Sequence, residues 1–187
     1  MQLVGKGGFF MREKNSVFRT VRSMTVAAML VAMSVVIGIF CKSFLNFGAG
    51  LFRITFENLP IILSGILYGP IVGGLVGICS DLVSYLLSSQ VYPPNIIVTA
   101  GAAAVGIVSG VMAKYVVRKQ GMAQIILSGA VAHIVGSMII KPIGLYQFYG
   151  ILVLWRIPLY LIIAPIEILV LCLLFRRESF RRIVDRK

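Results

Sequence analysis

Charge is scarce in this sequence. Only 13% of its 187 residues are Asp, Glu, Lys or Arg, and just six are acidic, where a soluble domain carries about 25% charged residues. With 59% hydrophobic residues, that deficit excludes an ordinary soluble domain and leaves an integral membrane protein built as a single bundle. Histidine occurs once, at position 133, so no His/Cys cluster offers a ligand set for a catalytic metal. Cys41, Cys79 and Cys172 each lie in or beside an apolar run without CxxC spacing. They read as small packing residues, not as disulfide or metal partners. Neither GxxxxGK[ST] nor GxGxxG occurs, so the chain has no motif for binding a nucleotide or hydrolysing ATP. It also shows no pair of internal repeats of the kind that builds many self-contained carriers. No cofactor is implied. The first long apolar run starts near Met24, is long enough to span and lacks a small-residue cleavage site, so it reads as a span and not as a signal peptide.

What is present is a series of apolar runs. They predict an all-α integral membrane fold, a six-transmembrane-helix bundle with spans at about 24–41, 52–68, 71–87, 96–117, 122–140 and 151–175. A basic segment, 1–23, precedes this domain, and a basic tail, 176–187, follows it. Lys141-Pro142 is expected to end the fifth span, and Pro158 and Pro165 to bend the sixth. Six spans place both termini on one side. Fourteen of the eighteen Lys and Arg residues fall on that side, so the positive-inside rule makes it cytoplasmic and the protein a multi-pass resident of the cell membrane. The net charge of +12 then reads as topology signal and attraction to anionic membrane lipid, with no nucleic-acid partner.

The remaining four basic residues, Lys42, Arg53, Lys141 and Arg156, have no topological reason to be on the outer side. Their converging at one mouth would make a cationic ring for an anionic solute; the alternative is that each is an interfacial residue reaching for water. Between residues 52 and 81 an apolar hairpin with a Gly69-Pro70 turn holds Arg53, Glu57, Asn58 and Asp81. Polar groups in a short or interrupted span point to a transporter's binding site. Glu57 and Asn58 could hydrogen-bond the edge of a heterocycle, or Glu57 could pair with Arg53 while Asn58 caps the helix. Asp81 either touches the ligand or ties helices together. Asn95 lies in the polar loop beyond the third span. Tyr92, Trp155 and the aromatics at 146, 148 and 149 form an outer belt that could also stack on a planar ring. Glu167 reads as a structural or partner contact, and His133 as a packing residue. Ala28/Ala32, Gly69/Gly73/Gly77 and Ala102/Gly106/Gly110 are small-xxx-small faces suited to close helix approach.

The run from Phe52 to Asp81, with Glu57-Asn58-Leu59-Pro60 followed by Gly69-Pro70, resembles the signature of the substrate-binding S components of energy-coupling factor (ECF) vitamin transporters. Within them it is most similar to the folate-specific, FolT-type branch. Ser80 before Asp81 departs from the pattern, where a small apolar residue is more usual. The resemblance implies a bacterial membrane protein that captures a vitamin from outside. It implies that the protein then joins a transmembrane coupling subunit, docking through Ala28 and Ala32, and two cytoplasmic ATPases. Folate suits the residues: its carboxylates match Lys42, Arg53, Lys141 or Arg156, and its pterin edge matches Glu57 or Asn58. The rival within the family is a receptor for a flavin, a thiamine-like molecule or a modified-base precursor. A rival of another class is a small intramembrane enzyme using Ser137, one turn after His133, as nucleophile.

Overall fold

The computed structural model describes residues 21–47, 52–87, 95–117 and 121–176. Among them the chain is helical apart from a hairpin of two two-residue strands, the irregular stretch 54–57 after it and single residues at helix ends. Helix α1 (Val21–Phe44) leads into strands β1 (Asn46–Phe47) and β2 (Phe52–Arg53), which pair antiparallel with Asn46 opposite Arg53. Helix α2 (Asn58–Tyr68) and α3 (Pro70–Leu87) form a tight hairpin. Helix α4 (Ile96–Val111) closes with a π-helical turn, Met112–Val116. Helix α5 (Met122–Ala132) runs through a second π segment, His133–Ile140, into α6 (Lys141–Tyr149). A 3₁₀ stretch, Gly150–Trp155, then enters α7 (Arg156–Arg176).

Among the described residues five helices are long and apolar enough to cross a membrane, where six were expected: Ser23–Phe44, Pro70–Leu87, Ile96–Val116, Met122–Phe148 and Gly150–Arg176. The expected second span is only the 11-residue α2, roughly 16 Å long at 1.5 Å per residue, against a hydrocarbon core of about 30 Å. It can be short because protein encloses it. Every residue from Asn58 to Gly65 is buried, so the first two turns of the helix are surrounded by protein and not by lipid. Pro60 sits in its first turn, where the missing N–H has no helical partner to lose. Gly69 ends α2 at φ 92°, a conformation that a side chain resists, and Pro70 opens α3 as its first residue.

Two expectations about proline are corrected. Lys141-Pro142 does not end the fifth span, because helix continues to Tyr149. The π segment just before it makes the helix wide at the point where the ring would otherwise strike the preceding turn. Pro158 falls in the first turn of α7 and only Pro165 is interior, so only Pro165 interrupts the backbone ladder.

The core joins Leu59, Ile61, Ile62 and Leu63 of α2 to Val72 and Val76 of α3, Val105 of α4, Ile125 and Ala132 of α5 and Leu171 of α7. Beside it the two glycine-rich faces meet each other. A side chain at Gly73 would collide with the Gly106 carbonyl, one at Gly77 with the Ala102 carbonyl, and one at Gly110 with the backbone of Gly69 and Pro70. These antiparallel pairings make α3 and α4 the most extensive contact in the molecule. Lipid-side hydrophobicity cannot drive helices together, so such backbone proximity is the main source of cohesion.

Candidate functional site

Glu57 is the last residue before α2, and its own backbone is helical (φ −64°, ψ −21°). The Ser34 hydroxyl of α1 donates to the Glu57 carbonyl at 2.7 Å. Gly38, one turn further on, leaves room for the carboxylate, since a Cβ there would stand 3.0 Å from Glu57 Oε2. Lys141 reaches it from α6. Its stem crosses Gly101 of α4, where a Cβ would meet Lys141 Cγ at 2.7 Å. The ammonium donates to Asn58 Oδ1 at 2.9 Å and lies 3.4 Å from Glu57 Oε1. Lys141 is 4% exposed and Asn58 wholly buried, so water does not compete for the bond between them, which is stronger than on a surface; the Glu57 side chain is partly exposed.

Asn58 is therefore no helix cap. It lies inside α2, and the residue in the cap position, Glu57, makes no side-chain cap bond. The Asn58 amide faces the core instead, and its Nδ2 donates to Ser137 Oγ at 3.3 Å. Ser137 is 3.5 Å from His133 Nδ1, and His133 Nε2 is 2.6 Å from Glu167 Oε2 across the gap to α7. That last contact is close but out of line for the ring N–H, and Glu167 Oε1 has no hydrogen-bond partner among the described residues.

A second polar group faces Glu57 from α3. Thr99 of α4 donates to Asp81 Oδ2 at 2.6 Å, and Lys42 of α1 donates to Ser84 Oγ at 2.8 Å. Ser34, Glu57, Ile61, Ser80, Asp81, Ser84 and Ala102 line a cavity of about 10 Å³, the size of a single water. Ser80 Oγ is buried with no hydrogen-bond partner among the described residues, a condition that calls for a polar visitor.

The structure thus brings Lys42, Glu57, Asn58, Asp81 and Lys141 together where α1, α2, α3 and α6 converge. Both lysines turn inward onto hydroxyl, amide and carboxylate oxygens, and do not stand in an open ring. Asn95 is occupied at both ends of its amide: Oδ1 accepts from the Ile97 N–H at 2.9 Å as the cap of α4, and Nδ2 donates to the Gly144 carbonyl at 2.6 Å. Ala28 and Ala32 are exposed on α1. Arg53 is seen in its backbone only, on β2, which touches α7. Tyr92 and the side chains of Arg53, Trp155 and Arg156 lie outside the described residues.

Sequence reasoning paired Ser137 with His133 only as a nucleophile and base, and left Lys141 and Glu167 apart from them. The four-residue spacing of the first three was the available signal, because it keeps side chains on one helix face. Ser137, His133 and Glu167 even stand in the order nucleophile, base, acid. All three are at most 1% exposed, so no scissile bond reaches the hydroxyl, and nucleophilic catalysis has no access here.

The family model described as "ECF transporter, substrate-specific component" matches residues 22–178. Among solved structures, one of FolT bound with folic acid is similar at 23% identity and a TM-score of 0.62, covering 81% of this chain and 90% of that one. The S component of a bacterial ECF transporter is similar at 22% identity and the same TM-score, covering 84% and 95%. At these identities the likeness is one of fold. A comparison with curated protein sequences finds no match.

Proposed function

The chain belongs to the family of substrate-specific components of ECF transporters, and from that premise we propose that it is a folate receptor of the cell membrane. Members of this family are substrate-binding transporter subunits and not enzymes. In this reading the protein captures folate from outside a bacterial cell. It then hands the vitamin inward with a transmembrane coupling subunit and two cytoplasmic ATPases, both termini being cytoplasmic.

The observation that carries the reading is the cluster of buried Lys141 and Asn58 with the partly buried Glu57, beside the Asp81 cavity. A cation with three donors suits a ligand carboxylate. A carboxylate and an amide suit the donor–acceptor edge of a pterin. Lys42, Arg53 and Arg156 are further candidates for the glutamyl carboxylates, and Tyr92 and Trp155 for stacking. Asn95 acts through the geometry of the loop it caps. The exposed Ala28/Ala32 face is where the coupling subunit docks. Ligand pockets run to about 300–1,000 Å³, so this cavity has to open. The Lys42–Ser84 and Lys141–Glu57 contacts are the ones a ligand replaces.

The test is titration of radiolabelled folic acid onto detergent-purified protein, alongside riboflavin and thiamine. Saturable tight binding of folic acid alone is expected. Tight binding of another vitamin in its place would keep the receptor role and discard folate.

A further inference from the structure

We propose that His133 and Glu167 are positioning residues for Lys141, acting through Ser137 and Asn58; this rests on the reading of Lys141 as the ligand's anchor. The polarity of the chain follows from its first member. An ammonium can only donate, so Lys141 fixes Asn58 with Oδ1 towards itself and Nδ2 towards Ser137 Oγ. Ser137 is thereby held as an acceptor and faces His133 Nδ1, while Glu167 faces the other ring nitrogen. Asn58, Ser137, His133 and Glu167 are each at most 1% exposed, so no solvent molecule can stand in for a missing partner.

Glu167 is the informative member. A wholly buried carboxyl is costly, and among the described residues this one has no contact to show for it except His133. A leucine would fill α7 at less cost, so packing alone does not account for it. The charges of Lys141 and Glu57, the two groups that meet at the ligand end, act on Glu167 electrostatically. The chain ties that end, on α2 and α6, to the centre of α7. When a ligand carboxylate draws on the Lys141 ammonium, the bond to Asn58 weakens, and the change passes to Ser137 and then to the histidine ring. No covalent bond forms or breaks.

His133 is the only histidine, so protein labelled with ¹⁵N-histidine gives a single pair of ring-nitrogen signals. The first arm needs no ligand: Lys141→Met is expected to move both signals relative to wild type. In the second arm, saturating folic acid moves them in wild type but not in Ser137→Ala, which cuts the chain. Ser137→Ala is expected to weaken folic acid binding about 3–10-fold, the scale of one buried hydrogen bond, and Glu167→Leu, which takes the carboxyl away from the His133 ring, is expected to weaken it as well. Glu167→Leu should do so without lowering the ligand-free melting midpoint, and Glu167→Gln, which keeps an acceptor towards the ring, should restore most of the affinity. Signals indifferent to Lys141→Met, or a Ser137→Ala variant that binds as wild type, overturn the proposal. Absence of folic acid binding in wild type overturns the vitamin assignment instead, and the first arm still decides the chain.

Discussion

Placing a methyl group on Gly106 tests the seam on which the site is mounted. A Cβ there would overlap the carbonyl of Gly73 and stand 2.9 Å from the Gly74 nitrogen. Both obstacles are backbone, so no side chain can swing away, and α3 and α4 must part by about 1 Å to restore a normal contact. Overpacking of this kind costs about 1–3 kcal/mol, here at the upper end, and the gain in helix propensity returns about 1 kcal/mol. The net loss is about 2 kcal/mol, or roughly 4–8 °C in melting midpoint for a chain of this size. Gly73→Ala strikes the same carbonyl pair from the other side. Once the seam is open the second methyl costs little, so the double variant should fall well short of the sum of the singles. Two controls set the scale. Gly74→Ala crowds only the exposed Ile107 side chain, the Ala103 carbonyl standing at an ordinary 3.8 Å, and Gly121→Ala meets nothing within 4 Å. Both should stay within about 0.5 kcal/mol of wild type. The assay is the fraction of monodisperse protein in detergent after heating, read by size-exclusion chromatography. A Gly106→Ala protein that melts at or above wild type would falsify the close packing of α3 on α4.

Lys141→Met should weaken folic acid binding about 10-fold or more, the loss of one hydrogen bond to a charged group, by equilibrium titration. Adding Glu57→Gln should recover part of any lost stability, because removing both charges is cheaper than removing one. Thr99→Val takes the hydroxyl from Asp81 and should cost about 1.5–3 kcal/mol. Asp81→Asn keeps an acceptor for Thr99, so a loss of binding in that variant at unchanged melting midpoint assigns Asp81 to the ligand. Asn95→Ala should cost about 1 kcal/mol as a lost helix cap. Ala28→Leu with Ala32→Leu should leave folic acid binding unchanged and abolish co-purification with the coupling subunit; a complex that survives both changes removes that face from the interface.

Several features were determined by the sequence alone, because each depends on composition or on nearest neighbours. Scarce charge and long apolar runs dictate membrane helices whatever their packing. The Gly69-Pro70 turn, the interruption of the span near Asn58-Leu59-Pro60 and the small-residue faces are local patterns with one main physical meaning each. The π segment at His133–Ile140 is not local in that sense: proline at 142 reads as a stop until the width of the preceding turn is known.

The partners were decided only by tertiary structure. Gly73 could have faced lipid or any helix, and only the register of α3 on α4 sets it against Gly106. Glu57 had Arg53 as its obvious neighbour in the chain, and nothing in that spacing announced Lys141, eighty-four residues away, which the fold brings beside it. Asn58 had the composition of a cap, yet burial turns its amide inward to a lysine and a serine. For the two polar residues the reason is the same. In a low-dielectric interior a polar group takes whichever partner packing brings within reach, and that choice, like the register of the glycine faces, is made between helices, where spacing along the chain carries no information.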